Sequence, residues 1–274
     1  MKTPPAILGR IVSQTVLRVV EAKETVSLKQ VLEPAMALAD AERAKGKSEL
    51  LPFESAIAAP GLSFICEVKK ASPSIGVITE HFNWVEIAKD YEEGGASAIS
   101  VLTEPEFFYG SNQHLKDISE AVKIPLLRKD FIIDPYQLYE AKLLGANAVL
   151  LISALHDPET LSLFLTTAGQ LALDCIVEVH NDGEVLEALQ AGASIIGINN
   201  RDLGTFEADT SLTEKLRKLI PSRILTVSES GIKSPDDIRA VKDAGVDAVL
   251  IGESLIRAAD RKGFLKELKS ASCG

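Results

Sequence analysis

Charged side chains recur in this sequence within or directly after short apolar runs, where burial is expensive unless the charge is paired or functional. Three are cations and three are carboxylates: Lys69, Lys129 and Arg201, and Glu67, Glu178 and Glu229. Asn199 adds an amide in the same kind of position. Opposed charges that lie close together shift one another's pKa values and provide both an acid and a base. The pattern therefore predicts acid–base chemistry, with interior salt bridges as the structural alternative.

Two glycine turns predict a site for an anion. Ser230-Gly231 follows one apolar run, and Gly252-Glu253-Ser254 follows the next. Backbone N–H groups at a glycine turn that opens a helix bind anions well. Ser72 offers a hydroxyl from another loop, whereas Glu253 is assigned only through its backbone because its carboxylate repels phosphate. An ordinary turn is the alternative interpretation of either glycine alone.

Eight short apolar runs could position these side chains, and they alternate with helical patterns from residue 63 onward. The runs are Phe64–Val68, Ala98–Leu102, Pro125–Leu127, Ala148–Ile152, Cys175–Val179, Ile195–Ile198, Ile224–Val227 and Ala248–Ile251. Near-continuous apolar strands that alternate with helices indicate a parallel sheet covered on both faces. A cap followed by proline predicts helix starts at Asp134-Pro135, Asp157-Pro158 and Ser234-Pro235, the last with Asp237 completing a capping box.

A repeat decides between the possible parallel sheets. Gly95, Gly145, Gly192 and Gly245 each end a helical pattern and are spaced 50, 47 and 53 residues apart, which is the length of two strand–helix units. Four pairs of units predict a closed (β/α)8 barrel, the TIM barrel of α/β proteins. A doubly wound sheet fits less well, because it has about five or six strands and a glycine fingerprint after the first. We expect one domain over residues 1–274, with residues 1–60 as a helical extension that covers the barrel.

Composition restricts the classes of function. The net charge is −10, which argues against a general nucleic-acid binder. No apolar run approaches the ~20 residues that span a bilayer. Three cysteines and four histidines show no metal-type spacing, so we expect a cytoplasmic protein with no metal and no other cofactor. His180 is the only histidine at a strand end, and we interpret it as a loop histidine rather than a catalyst.

Seven stretches, in order and each at a strand end, resemble the indole-3-glycerol phosphate synthase family over essentially the whole chain. They are Glu67–Ser74, Val101–Glu104 with Phe108 and Gly110-Ser111, Leu126–Ile132, Val177–Val179, Gly197–Leu203, Ser228–Ile232 and Leu250–Leu255. This family contains the decarboxylating, ring-closing lyase of tryptophan biosynthesis. One departure is Ile75, where many members carry a lysine or arginine.

The resemblance implies a substrate, 1-(2-carboxyphenylamino)-1-deoxyribulose 5-phosphate, and roles for individual residues. The phosphate would be held by Ser72, Arg201, Ser230, Gly231, Gly252 and the Glu253 amide. An apolar wall for the aromatic ring would come from Phe108 and Phe131 with the N-terminal helix.

The reaction implied by the resemblance is ring closure, decarboxylation and dehydration, and none of these steps needs a cofactor. Lys129 is the expected general acid for ring closure, because an ordinary lysine is charged at neutral pH. Glu178, Glu67 and Lys69 are the candidates for the dehydration, and Lys69 would also face the substrate carboxylate or the sugar hydroxyls. Asn199 and Glu229 would position the substrate or the lysines.

Three alternatives stay open at this point. A phosphoribosylanthranilate isomerase and a Schiff-base aldolase also use a phosphate site on this scaffold, although the N-terminal extension and Lys129 argue against the isomerase. A phosphate-ligand-binding module without turnover belongs to another class. In each case the expected partner is a phosphorylated small molecule, with no nucleic acid and no membrane, and the expected state is a monomer.

Overall fold

A computed structural model of the chain describes residues 6–45, 50–202, 204–205 and 207–273. Within these residues, eight parallel strands form a closed barrel, in which the first strand pairs with both the second and the last. The strands are β1 (Ser63–Val68), β2 (Ala98–Leu102), β3 (Leu126–Lys129), β4 (Ala148–Ile152), β5 (Asp174–Val179), β6 (Ile195–Asn199), β7 (Leu225–Glu229) and β8 (Ala248–Ile251). The predicted (β/α)8 barrel is confirmed.

Three helices precede the barrel, which confirms the predicted N-terminal helical extension: α1 (Ala6–Thr25), α2 (Leu28–Lys45) and α3 (Pro52–Ile57). Residues 1–5 and 46–49 lie outside the described residues. The remaining helices are α4 (Trp84–Glu93), α5 (Asn112–Ala121), α6 (Tyr136–Leu143), α7 (Pro158–Gln170), α8 (Asp182–Ala191), α9 (Ser211–Arg217), α10 (Pro235–Asp243), α11 (Glu253–Arg257) and α12 (Arg261–Ala271). Among the helices described here, none has the length and apolar character needed to cross a bilayer.

Three strands extend further than their apolar runs predict. β3, β6 and β7 end at Lys129, Asn199 and Glu229, whereas the pattern ends each run one or two residues earlier. Alternate residues of a strand share a face, and Leu127 and Val227 pack in the barrel interior. Lys129 and Glu229 therefore also point inward, where each finds a partner of opposite charge. A hydropathy pattern takes no account of pairing between opposite charges. It therefore ends these strands too early.

The glycine repeat has the conformational role expected of it. Gly95, Gly145, Gly192 and Gly245 all have φ between +80° and +92°, the left-handed region that side chains rarely adopt. Each one ends a helix and turns the chain into the next strand. The repeat therefore marks alternate helix ends around the barrel.

Two of the three predicted helix starts are confirmed. Asp157 accepts a hydrogen bond from the Thr160 backbone N–H at 2.8 Å, and Ser234 forms a complete capping box with Asp237. At Asp134-Pro135 the residue predicted as the N-cap is wrong. The backbone of Pro135 is already helical and occupies the N-cap position. The Asp134 carboxylate instead accepts from the Tyr136 backbone N–H at 2.9 Å and pairs with a lysine of α1.

Helix α1 is fixed to the loop that follows β3. Arg18 pairs with Asp130 at 2.7 Å, Lys23 pairs with Asp134 at 2.6 Å, and the Tyr136 hydroxyl donates to the Val26 carbonyl at 3.1 Å. Asp130 follows directly after Lys129, the last residue of β3. The second half of α1 is therefore attached to the segment that carries Lys129, and its first half extends over the barrel mouth.

The start of α12 tests how much one cap contributes to stability. The Asp260 carboxylate accepts from the Gly263 backbone N–H at 2.9 Å. We expect Asp260→Ala to lower the free energy of unfolding by about 1 kcal/mol, because a helix N–H loses its acceptor. Urea denaturation with an unchanged m value measures the loss. Asp260→Asn, which keeps an acceptor oxygen, is the control, and equal stability of the two variants contradicts the expectation.

Candidate active site

Four charged side chains form one layer across the barrel interior: Glu67, Lys129, Glu178 and Glu229. They come from β1, β3, β5 and β7, and barrels of this fold stack interior side chains in layers of four from alternate strands. Each lies two residues beyond an interior apolar residue on its own strand: Ile65, Leu127, Ile176 and Val227. The strand geometry therefore brings together side chains that are far apart in the sequence. We call these four residues the charged layer.

Lys129 is the centre of the charged layer. Its Nζ donates to Glu178 Oε2 and to Glu229 Oε2, both at 2.8 Å. Glu67 is paired separately, because its carboxylate accepts from Lys69 Nζ. The layer therefore contains one buried ammonium group held by two carboxylates, beside a second lysine–carboxylate pair.

The surroundings shift the pKa values of these groups in different directions. Burial lowers the pKa of Lys129, but the charges of Glu178 and Glu229 outweigh burial and raise that pKa far above its ordinary value. Burial raises the pKa of Glu229 to about 7 despite the attraction of Lys129. For Glu178, by contrast, the charge of Lys129 overcomes burial and, with His180, holds the pKa well below its usual range. Near neutral pH, Lys129 is therefore charged, Glu178 is ionised, and Glu229 is the carboxyl that exchanges a proton.

The cavity above the charged layer has a volume of about 370 Å³. All the site residues predicted from the sequence line it: Glu67, Lys69, Ser72, Phe108, Lys129, Phe131, Glu178, Asn199, Arg201, Glu229, Ser230, Gly231, Gly252 and Glu253. Helix α1 contributes Ile7, Leu8 and Ile11 to one wall. The structure therefore brings every one of these residues to a single cavity.

The two ends of the cavity differ in chemistry. The rings of Phe108 and Phe131 lie 6.0 Å apart between centroids, tilted by 39°, and with the α1 residues they form an apolar side. On the opposite side, Ser230 and Gly231 are consecutive residues with positive φ, +66° and +85°. Such a turn directs successive backbone N–H groups to one side and suits an anion.

Asn200, which sequence analysis did not single out, holds the anion-side turn in place. Its Nδ2 donates to the carbonyls of Glu229 at 3.0 Å and Ser230 at 3.1 Å, and its Oδ1 accepts from the Thr213 hydroxyl at 2.8 Å. The side chain is buried. Asn200 therefore fixes the end of β7 from the neighbouring loop, and its place beside Asn199 in the sequence gave no sign of this role.

Gly197 was also missed, although a signal for it existed. A Cβ at this position would overlap Glu229 Oε1 and lie 2.8 Å from Ile176 Cγ2. Glycine inside a strand often marks the close approach of another group, and Gly197 interrupts an otherwise apolar run. Lys233 and Arg257 line the cavity as well, but they lie beyond the strand ends to which the sequence search was restricted.

Comparison with known proteins agrees with this geometry. The family model described as indole-3-glycerol phosphate synthase matches residues 8–268. A protein of Ruminiclostridium cellulolyticum named indole-3-glycerol phosphate synthase is 50% identical over 266 residues, covering 97% of this chain and 100% of that protein. One of the same name from Endomicrobium trichonymphae is 49% identical over 263 residues, covering 96% and 99%.

A solved structure supports the fold at greater distance. Thiamine phosphate pyrophosphorylase from Pyrococcus furiosus superimposes with a TM-score of 0.58 at 18% identity, covering 77% of this chain and 95% of that one. At this identity the likeness concerns the barrel fold alone. The family model and the relatives near 50% identity, which extend over almost the whole chain, show that this chain belongs to the indole-3-glycerol phosphate synthase family.

Proposed function

We propose that the chain converts 1-(2-carboxyphenylamino)-1-deoxyribulose 5-phosphate into indole-3-glycerol phosphate, CO2 and water, a step of tryptophan biosynthesis. The observation that carries the proposal is the charged Lys129, held by Glu178 and Glu229 at the floor of a cavity with one aromatic side and one anion-binding side. An aromatic carboxylate at one end of the substrate and a phosphate at the other match that division.

Lys129 is proposed as the general acid of ring closure. The aromatic carbon that bears the carboxylate attacks the ketone carbon of the substrate, and the ketone oxygen takes a proton from Lys129 Nζ as the C–C bond forms. The two carboxylates hold the ammonium group in place, so the donor is positioned before the substrate arrives. Loss of CO2 then restores the aromatic ring, and the apolar wall of Phe108, Phe131 and α1 favours this charge-dispersing step.

Dehydration completes the proposed reaction. The new hydroxyl leaves as water after it takes a proton, and a base removes a proton from the ring system. Glu178 suits the base because it stays ionised. Lys69, which pairs with Glu67 and lines the same cavity, is proposed to give the proton to the leaving hydroxyl. Asn199 and Glu229 are proposed to position the substrate and Lys129.

The phosphate is proposed to lie at the opposite side, against Ser72, Arg201, Ser230, Gly231, Gly252 and the Glu253 amide. The positive-φ turn at Ser230-Gly231 supports this placement. The Ser72 hydroxyl, which lies 3.2 Å from that of Ser74, reaches the cavity from a short hairpin after β1, in which residues 71–72 pair antiparallel with residues 76–77. Lys233 lines the same cavity from outside the strand ends, and Ile75 supplies no charge there.

A Schiff-base aldolase is disfavoured by the state of Lys129. Imine formation needs a neutral amine, and the paired carboxylates raise the pKa of Lys129 far above its ordinary value. A binding module without turnover has no need for a buried layer of four charges, which costs desolvation energy. The acid–base reaction uses every member of that layer.

We also propose that residues 1–274 act as a single domain, with residues 1–60 covering the barrel, and that the protein works as a cytoplasmic monomer without a metal or other cofactor. Ile7, Leu8 and Ile11 of α1 line the cavity, which supports the covering role. The catalytic groups that the reaction as written needs are proton donors and acceptors.

Replacing Lys129 tests the acid role. We expect Lys129→Met to lower kcat by roughly 10²–10⁴-fold, because the proton donor is lost. Incubation with the carboxyphenylamino-deoxyribulose phosphate, followed by indole fluorescence, measures turnover, and circular dichroism checks the fold. Lys116→Met on α5, where the lysine is exposed and pairs with Glu120, is the matched control and keeps full activity.

Two results contradict this assignment. A Lys129→Met variant that retains wild-type turnover removes the lysine from the reaction. A covalent adduct at Lys129, trapped by borohydride in the wild-type protein, makes Lys129 a nucleophile and favours the aldolase. A well-folded wild-type protein that forms no indole product rejects the proposed function itself.

Gly197 tests whether the charged layer must be held to its observed geometry. We expect Gly197→Ala to lower kcat on the order of 10²-fold, because the new methyl group displaces the Glu229 carboxylate and with it Lys129. The matched control is Gly169→Ala in α7, where a Cβ meets nothing within 4 Å. That variant should keep its activity and gain stability, since alanine favours a helix. Equal turnover of the two variants contradicts the need for a glycine at position 197.

A further inference from the structure

His180 lies between two carboxylates at the carboxyl end of β5. Its Nε2 is 3.4 Å from Glu178 Oε1, and its Nδ1 is 3.1 Å from Glu184 Oε2. The side chain is only 11% exposed, and it does not line the cavity. The imidazole therefore contacts Glu178 of the charged layer from outside the cavity and does not reach the reacting atoms.

Glu184 fixes the orientation of this ring. Its Oε2 accepts from the backbone N–H of His180 at 2.7 Å as well as facing Nδ1, and its Oε1 accepts from Asn181 Nδ2 at 2.7 Å. The Glu184 backbone N–H in turn donates to Asn181 Oδ1 at 3.0 Å. Glu184 is therefore built into the first turn of α8, and with Nδ1 held there, Nε2 must face Glu178.

The two carboxylates on Lys129 differ in what holds their second oxygen. Glu178 Oε1 lies 3.4 Å from His180 Nε2, an ion-pair contact without hydrogen-bond geometry, whereas Glu229 Oε1 is buried with no hydrogen-bond partner among the described residues. Both carboxylates use Oε2 to accept from Lys129 at the same distance of 2.8 Å. Lys129 alone therefore does not distinguish them. The asymmetry comes from His180 next to Glu178, together with the charge of Glu67, which raises the pKa of Glu229.

We propose that His180 is a positioning residue that acts as an imidazolium: it holds Glu178 Oε1, leaves Oε2 to Lys129, and so determines which of the two carboxylates stays ionised as the base. The inference rests on the proposed function in so far as it names Glu178 a base. It extends that function by assigning a group that never touches the substrate.

The electrostatics agree with this geometry. Burial lowers the pKa of His180, but its contacts with the Glu178 and Glu184 carboxylates outweigh burial and raise that pKa to about 10. The titratable groups that face the ring are Glu178 on β5, Glu184 on α8 and Asp202 in the loop after β6. All three are acidic and favour the imidazolium, whereas the ammonium group of Lys129, on the other oxygen of Glu178, opposes it.

The first experiment needs no turnover. The chain has four histidines, so ¹⁵N-histidine labelling gives four ring spectra, and comparison with His180→Gln assigns the one from His180. We expect both ring nitrogens of His180 to be protonated from pH 6 to pH 8. A neutral imidazole at pH 7 overturns the proposal, whether or not the protein has the proposed activity.

The second experiment measures kcat against pH. His180→Gln keeps an N–H donor near Glu178 and removes the charge, so the pKa of Glu178 rises and the base becomes protonated at higher pH. We expect the acid limb of the kcat profile to move up by at least about one pH unit, so that kcat at a given pH on that limb falls about tenfold. Activity should recover at high pH, and KM should stay within about twofold because His180 does not contact substrate.

Asp260→Ala is the control for lost stability, since its cap lies outside the cavity. It should leave the acid limb unchanged. An unshifted acid limb in His180→Gln, or the same shift in Asp260→Ala, overturns the positioning role. If the wild-type protein shows no turnover at all, the proposed function fails while the ring spectra still decide the state of His180.

Discussion

The buried ammonium group of Lys129 is the constraint around which the interior of this barrel is organised. A charge at that depth is tolerable only with partners, and Glu178 and Glu229 supply them from β5 and β7 at equal distances. One cation cannot fully compensate two buried carboxylates, so a further charge or a proton must complete the balance. The imidazole of His180 lies behind Glu178, and the raised pKa of Glu229 lets that side chain carry a proton. The same balance that makes the layer stable also leaves it with one acid, one base and one exchangeable proton.

The backbone must leave room for this layer. Gly197 lies where a methyl group would overlap Glu229, and Gly252 lies where one would overlap the Glu67 carboxylate. Neither glycine has a positive φ, so what both provide at these positions is space for the carboxylates. They differ in this from Gly95 and the other helix-ending glycines, whose positive φ turns the chain. Glycine therefore serves the barrel in two separate ways: it turns the chain at helix ends, and it leaves room for the charged layer.

Much of this arrangement could be predicted from the sequence, for physical reasons that particular residues show. The apolar runs and the spacing of Gly95, Gly145, Gly192 and Gly245 define eight units, and the fold then forces all strand ends to one mouth. Glu178 stands inside an apolar run of the sequence. Because hydropathy does not explain a carboxylate at such a position, the sequence itself singled it out. The division of protons between Glu178 and Glu229 was not visible, since it depends on which oxygen faces His180. The supporting hydrogen bonds of Asn200 were equally hidden, because they join loops that are distant in the sequence.

The charge of the cavity connects these points to the substrate. The chain carries a net charge of −10, yet the side chains that line the cavity include five cationic and five acidic ones: Lys69, Lys129, Arg201, Lys233 and Arg257, and Glu67, Asp130, Glu178, Glu229 and Glu253. With every acid ionised, the formal charges of this lining sum to zero. A proton on Glu229 makes it positive, and the charge of His180 behind Glu178 adds to the field. A ligand with two anionic ends would therefore favour the same protonation of Glu229 that leaves Glu178 free as the base, so that binding and catalysis select one distribution of protons.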